Sequence, residues 1–186
     1  MAFTGRTDTS GGADRRSALS RYALLPLRVF LGVTFVYAGL DKLTDSAFLA
    51  SSGPGSLGEL MRAVRDSAAL PGLVDLALKN PVGFGYAIGI GELAVGIGTL
   101  LGLFARVAAA GGALISLSLW LTVSWATTPY YYGNDLAYLM AWLPLVLAGA
   151  PMFSADAALR RRRGRRGRRG RRVFRGRRGR RGGLPA

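Results

Sequence analysis

One acidic residue, Glu92, lies near the middle of a long apolar segment at positions 83–104. At about 1.5 Å of rise per residue, a helix of this length crosses a hydrocarbon core of about 30 Å. Burying an ionisable side chain inside such a helix costs free energy, so the side chain is normally paired with another group or serves a function. Two interpretations follow for Glu92: a structural ion pair between helices, or a group that relays protons or contacts a ligand.

The glycines of this segment predict how it packs. Gly85, Gly89, Gly96 and Thr99 are spaced three or four residues apart in register with Glu92, so a helix places them on one face. A second face carries further glycines, namely Gly91, Gly98 and Gly102. Small residues let membrane helices approach closely. The segment is therefore predicted to be the central helix of a bundle, packed on two sides.

A first helix, predicted at 24–43, offers a partner for Glu92. Its small and basic positions also fall on one face, namely Arg28, Gly32, Phe35, Gly39 and Lys42. If the two helices are antiparallel, this face can meet the Glu92 face, and Arg28 is the predicted ion-pair partner. The alternative is that Arg28 extends to the lipid headgroups while its stem stays in the apolar region.

The remaining segments complete a predicted four-helix bundle. Further spans are predicted at 107–125 and 136–150. The connection at 44–82 should hold two short amphipathic helices, one starting at a Ser56–Glu59 capping box and one at 73–78. The sequence thus predicts an all-α integral membrane protein, a four-transmembrane-helix bundle with short amphipathic helices in its first outer loop and disordered termini.

The basic residues predict the orientation. The chain carries a net charge of +15, but residues 160–181 hold fifteen arginines and no acid. This segment, the arginines near residue 15 and Arg106 all fall on one side of a four-span arrangement, which predicts that both termini are cytoplasmic. The Arg-rich tail at 157–186 is predicted to be disordered and to bind anionic lipids; nucleic-acid binding is the disfavoured alternative.

The absence of cysteine and histidine excludes several chemistries within this chain. Thiolate nucleophiles, Cys/His zinc sites, axial haem histidines and histidine proton shuttles all need these residues. No metal ligand set and no haem ligand is therefore predicted. Redox chemistry here would need a bound organic molecule or a partner subunit.

Polar and aromatic side chains are predicted to gather at the outer end of the bundle. Asp41 and Lys42 end the first helix there, Trp125 ends the third, and Tyr130 and Asp135 follow. Donors beside aromatic faces suit a quinone or an anion. The alternative is an aromatic belt at the membrane interface, with Asp135 serving only as a helix N-cap.

Three segments resemble the DoxX/DoxD family: LPLRVFLGVTFVYAGLDKL, GELAVGIGTLLGLFARVAA and LTVSWATTPYYYGNDLAYLMAWLPLVLAGA. Within it, the chain is similar to the DoxD-like small membrane subunits of thiosulfate:quinone oxidoreductases. The resemblance spans 22–156, between a disordered N-terminus at 1–21 and the tail. The family segment often has a histidine after its Ser-Trp pair, where this chain has Ala126.

The resemblance implies a membrane subunit of a quinone-linked oxidoreductase in the bacterial plasma membrane. It implies catalytic roles for Glu92, Asp135 and Arg28. It implies a quinone or anion pocket around Trp125, Tyr130 and Lys42, and the predicted topology adds Asp41 to this pocket. A second oxidoreductase subunit or a second copy of the chain is the expected partner. The alternatives are a non-catalytic scaffold that docks soluble redox or sulfur-transfer proteins and a small-molecule transporter.

Overall fold

The computed structural model describes residues 22–149, and this part of the chain is all-helical. The helices are α1 (Leu25–Thr44), α2 (Leu57–Val64), α3 (Pro71–Lys79), α4 (Pro81–Leu101), α5 (Ala105–Thr122) and α6 (Asn134–Ala148), with 3₁₀ turns at Arg65–Ser67 and Tyr130–Tyr132. Predicted disorder at 1–21 and 157–186, and lipid binding by 160–181, lie outside the described residues.

Helix α4 ends three residues earlier than the apolar segment predicts. Gly102 adopts a left-handed conformation, with φ of 63°, and its N–H bonds back to the carbonyls of Gly98 and Thr99. Glycine takes this conformation at little cost, which makes it the usual residue just beyond a helix end. The chain then turns within three residues and enters α5.

Helices α1 and α4 pack backbone to backbone through glycines. A Cβ placed on Gly96 would lie 2.6 Å from the backbone nitrogen of Val36, and one on Gly39 would lie 2.7 Å from the carbonyl oxygen of Gly89. Only hydrogen fits at these positions. The two predicted glycine faces therefore do meet, and the close approach fixes the antiparallel register of the pair.

The opposite side of α4 packs against α5, as the second glycine face predicts. A Cβ on Gly91 would lie 3.6 Å from Ile115, and one on Gly98 would lie 3.3 Å from Ala108. Helix α6 packs in turn on α5. A core cluster joins α1, α5 and α6 and consists of Leu31, Phe35, Ala109, Trp142 and Leu145.

The outward surface of the bundle is apolar. Val107 is 71% exposed, Leu114 66% and Ile90 56%. Soluble monomers rarely expose continuous apolar surface of this kind. Helices α4 and α5 are long and apolar enough to cross a membrane, whereas α6 is apolar but shorter. Membrane crossing by α1 and α6, and so the four-span count, stays a prediction.

The connection between α1 and α4 folds into a small cap on one end of the bundle. The Ser56 hydroxyl accepts a hydrogen bond from the Glu59 backbone N–H at 3.3 Å, so Ser56 caps α2. The apolar residues Leu57, Met61, Val74 and Ala77 pack α2 against α3. Two backbone N–H groups, from Ala69 and Leu70, bond to the carbonyl oxygen of Leu121 and tie the cap to α5.

Substituting Ser56 by alanine is expected to loosen this cap. The hydroxyl is fully buried, and its loss leaves the Glu59 N–H without its partner. The expected loss of unfolding free energy is about 1 kcal/mol. Denaturation in mixed micelles measures it, with Ser67→Ala as control because the exposed Ser67 hydroxyl bonds only to the Val64 carbonyl. Equal stabilities of the two variants would contradict the capping role.

Candidate buried charge site

The centre of the candidate site is an ion pair between α1 and α4. The Lys42 ammonium donates a hydrogen bond to Glu92 Oε2 at 2.8 Å. The Glu92 side chain is only 4% exposed, and the Lys42 side chain is 24% exposed. Glycines Gly39 and Gly89 bring the two helix backbones together beside this pair. The close approach of α1 and α4 therefore allows the charges to meet inside an otherwise apolar bundle.

Lys42 extends into the bundle rather than away from it. Its ammonium lies 3.5 Å from the carbonyl oxygen of Ala38, one turn closer to the start of α1. Side chains on a helix lean toward its N-terminus, which for Lys42 is the direction of the bundle interior. A lysine near the end of a membrane helix usually extends toward the headgroups. The inward position is thus stabilised by its charge pair with Glu92.

The predicted ion pair between Arg28 and Glu92 is wrong. Arg28 is buried and donates instead to the Leu100 carbonyl oxygen at 2.7 Å, at the C-terminal end of α4. Leu100 lies two helical turns beyond Glu92, roughly 12 Å along the axis. In the glycine-fixed register, Arg28 faces the helix end and Lys42 faces Glu92. A cation at a helix C-terminus also interacts favourably with the helix dipole.

The second acidic residue of the site, Asp135, lies in the first turn of α6. Its carboxylate accepts a hydrogen bond from the Ser124 hydroxyl, which follows the end of α5. Gly133 occupies the N-cap position, so the alternative role of Asp135 as an N-cap is wrong. The side chain is half-buried and lies within electrostatic reach of Lys42. Lys42 therefore pairs directly with Glu92, and its charge acts on Asp135 without an ion pair among the described residues.

The predicted aromatic residues lie on the surface. Trp125 is 48% exposed and packs against Trp120, while Tyr130 is 71% exposed and stacks edge to face on Tyr131. Asp41 is also exposed. These positions separate them from the buried Glu92 carboxylate. A binding role for Trp125, Tyr130, Asp41 and Lys42 stays a prediction.

Several polar groups of the interior gave no sequence signal. Ser124 is one, because a serine beside a tryptophan indicates nothing about a carboxylate elsewhere in the chain. Thr99 Oγ1, Ser116 Oγ and Trp142 Nε1 are buried without a hydrogen-bond partner in the part of the chain that the structure describes. Ser116 and Trp142 fall on buried helix faces without charged members, and Thr99 was predicted only as a small member of the Glu92 face, so the pattern indicates packing and not an unused hydrogen bond.

The site is suited to holding and exchanging a proton. Two carboxylates and one ammonium leave one negative charge in a poorly hydrated region when all three are ionised. One added proton neutralises the cluster, and acids inside membrane bundles commonly serve proton relays. Lys42 is partly exposed, which gives the buried Glu92 an electrostatic link to the end of the bundle. Over residues 22–149 no group of acidic side chains is arranged to hold a metal ion.

Comparison with known proteins assigns the chain to a family. No curated protein and no solved structure matches it. The family model described as DoxX matches residues 23–125, more than half of the chain. The match includes both members of the ion pair, Lys42 and Glu92, and the glycine faces that bring them together, and it ends before Asp135. The apolar helices and this match identify the chain as a membrane protein that belongs to the DoxX family.

Proposed function

We propose that this chain is an integral membrane subunit of a quinone-linked oxidoreductase, similar to the small subunit of thiosulfate:quinone oxidoreductases. One observation carries the proposal: a buried Glu92 carboxylate paired at 2.8 Å with a lysine that reaches inward from the end of α1. A buried ion pair that only holds two helices together can often be replaced by well-packed apolar side chains without loss of stability. A proton-coupled reaction in the membrane, in contrast, needs an ionisable group at depth.

A quinone fits the end of the bundle better than its centre. Reduction of a quinone consumes two electrons and two protons. The centre is filled, because Trp142 packs directly on Gly112 and edge to face on Phe35 at 4.9 Å. At the end of the bundle, the Lys42 side chain is 24% exposed and Trp125 is 48% exposed. Lys42 would orient a carbonyl or attract an anion there, and Glu92 and Asp135 would hold the protons.

The proposed setting is the bacterial plasma membrane, with four spans and both termini in the cytoplasm. In this arrangement the Lys42–Glu92 pair and Asp135 lie toward the outer side, and Arg28 lies toward the inner side. Electrons would come from a sulfur substrate such as thiosulfate, directly or through a second subunit. Arg28 would act by holding the inner end of α4 against α1 rather than by contacting the quinone.

The proposal predicts that Glu92→Gln and Asp135→Asn lose thiosulfate-dependent reduction of a soluble quinone analogue. Glutamine and asparagine keep the size of each side chain but cannot carry the proton. Loss of a positioned acid or base typically costs about a hundredfold or more in rate. The assay uses membranes containing equal amounts of inserted protein.

Glu59→Gln is the matched control, because Glu59 is an exposed glutamate of the cap. It should keep the wild-type rate. Full activity in both Glu92→Gln and Asp135→Asn, at equal protein levels, would refute the proposed proton roles.

A second candidate function is a scaffold that docks soluble redox or sulfur-transfer proteins. The observation that favours it is the row of exposed aromatic rings at Tyr130, Tyr131 and Tyr132, which are 65–71% exposed. A scaffold would retain a soluble oxidoreductase in Glu92→Gln and lose it when Tyr130 and Tyr131 become alanine. If binding of the oxidoreductase is instead lost in Glu92→Gln and kept in the tyrosine variant, the enzyme function is favoured.

A further inference from the structure

Three polar groups in the bundle interior have unused hydrogen-bonding capacity. Ser116 Oγ and Trp142 Nε1 are buried, at 1% and 0% exposure, and neither has a partner among residues 22–149. Glu92 is 3% exposed, and within the same residues Lys42 is its one hydrogen-bond donor. A carboxylate has room for about four donors. Buried polar groups of this kind are normally satisfied, by protein or by ordered water.

Glu92 and Ser116 lie at the same level of the bundle. Their sequence neighbours Gly91 and Ile115 face each other across the α4–α5 contact, where a Cβ on Gly91 would lie 3.6 Å from the Ile115 side chain. Both polar residues are on buried positions of their helices. The ion pair with Lys42 involves the side of α4 that packs on α1, so α5 approaches Glu92 from another direction.

Trp142 belongs to the same layer. Its indole ring packs on Gly112, with the ring carbon next to Nε1 nearest to that glycine. Gly112 is one helical turn from Ser116 on the same buried face of α5. Ser116 Oγ and Trp142 Nε1 do not bond to each other, and neither has another partner among residues 22–149. Buried polar groups left without a protein partner are commonly satisfied by an ordered water molecule.

We propose that Ser116 and Trp142 hold internal water next to Glu92. The chemistry of the three groups matches water: the indole N–H only donates, the carboxylate only accepts, and the hydroxyl does both. Water accepts from the indole and donates to the carboxylate at once. A larger ligand does not fit, because Phe35 packs edge to face on the indole at 4.9 Å and closes this layer from α1.

The water gives Glu92 a second contact with mobile protons, on the side away from Lys42. Ser116 is the relay member, since a hydroxyl both donates and accepts, and Trp142 anchors the water without relaying. The water site is inferred from the unpartnered buried groups and from the level of the bundle that they share. Its use in proton movement rests on the proposed function.

The test observes the indole proton of Trp142 by NMR in the full chain, labelled with ¹⁵N at tryptophan and reconstituted in lipid nanodiscs. The chain has three tryptophans, and Trp120→Phe and Trp125→Phe assign the other two signals. The expected result is a cross-peak between the Trp142 indole proton and water, together with exchange into D₂O despite complete burial. Ser116→Ala should remove the cross-peak.

Ser118→Ala is the matched control, because the Ser118 hydroxyl already bonds to the Ile115 carbonyl at 2.8 Å on the same helix. It should leave the cross-peak unchanged. An indole proton that shows no water contact and resists exchange in the wild-type chain would overturn the water site. The water site would also be overturned if the Trp142 indole signal shifts in Ser116→Ala while the wild type shows no water cross-peak. That result indicates a direct bond between the indole N–H and the Ser116 hydroxyl.

The outcome is separable from that of the proposed function. If the wild-type chain shows no water contact at the Trp142 indole but its quinone reduction still depends on Glu92, only the water site is overturned. A water contact in a chain whose quinone reduction does not depend on Glu92 would overturn only the proposed function.

Discussion

Replacing Lys42 by methionine is expected to destabilise the bundle by about 3–5 kcal/mol at neutral pH. The substitution leaves the Glu92 carboxylate, whose side chain is 4% exposed, without its donor at 2.8 Å. Glu92→Met should destabilise less, because the partly exposed Lys42 ammonium regains water more easily. Unfolding in mixed micelles, followed by circular dichroism, gives both values.

The double variant Lys42→Met/Glu92→Met should recover most of this stability, since no unpaired charge is left in the interior. Lys79→Met is the control for removing a lysine, because Lys79 is exposed at the end of α3. It should change the unfolding free energy little. Additive losses in the double variant would contradict a coupled pair.

The second large effect is expected at the contact between α1 and α4. A Cβ added at Gly96 lies 2.6 Å from the Val36 backbone nitrogen and 2.8 Å from the Gly32 carbonyl oxygen, and neither backbone atom can move away independently. Gly96→Ala must therefore push the helices apart. Overpacking typically costs about 1–3 kcal/mol, and separating the helices should also lengthen the Lys42–Glu92 contact. Gly96→Ala is thus expected to lower the unfolding free energy and, under the proposed function, the rate of quinone reduction.

Gly91→Ala is the matched control on the same helix. Its added Cβ would lie 3.6 Å from Ile115, which is an ordinary van der Waals contact. Alanine also favours the helix over glycine by about 1 kcal/mol. Gly91→Ala should be as stable as the wild type or more so. Equal unfolding free energies of Gly96→Ala and Gly91→Ala would show that α1 and α4 do not approach as closely as described.

The glycine spacing made much of this fold predictable. On α4 the predicted face of Gly85, Gly89, Glu92, Gly96 and Thr99 is the buried face of the helix. The spacing works as a signal because only a helix of period 3.6 brings these residues together, and only a close neighbour requires them to be small. The second glycine face predicted a second packed side for the same reason, and the structure places α5 on that side.

The partner of Glu92 was not predicted because it depends on the register of two helices. Each helix carries its own pattern, and sliding α1 along α4 by about two turns, the distance from Leu100 to Glu92, would bring Arg28 opposite Glu92 instead. The register follows from which glycines meet, here Gly32 with Gly96 and Gly39 with Gly89. A sequence gives these glycines but not their pairing.

The surroundings of Asp135 were also beyond prediction. An acid at the start of a helix is normally interpreted through local capping. Here Gly133, two residues before Asp135, takes the N-cap position, and Ser124, just beyond the end of α5, donates a hydrogen bond to the carboxylate. This contact depends on how the aromatic loop folds back, which no periodicity describes.

We propose that the Lys42–Glu92 pair works in proton-coupled quinone chemistry and does not only join α1 to α4. The most direct measurement is thiosulfate-dependent quinone reduction by membranes containing the Lys42→Met/Glu92→Met variant, beside the wild type at equal protein level. We expect an active wild type and a stable, inserted variant whose rate falls to background. A double variant that reduces quinone at the wild-type rate would contradict it and leave the pair as a structural tie.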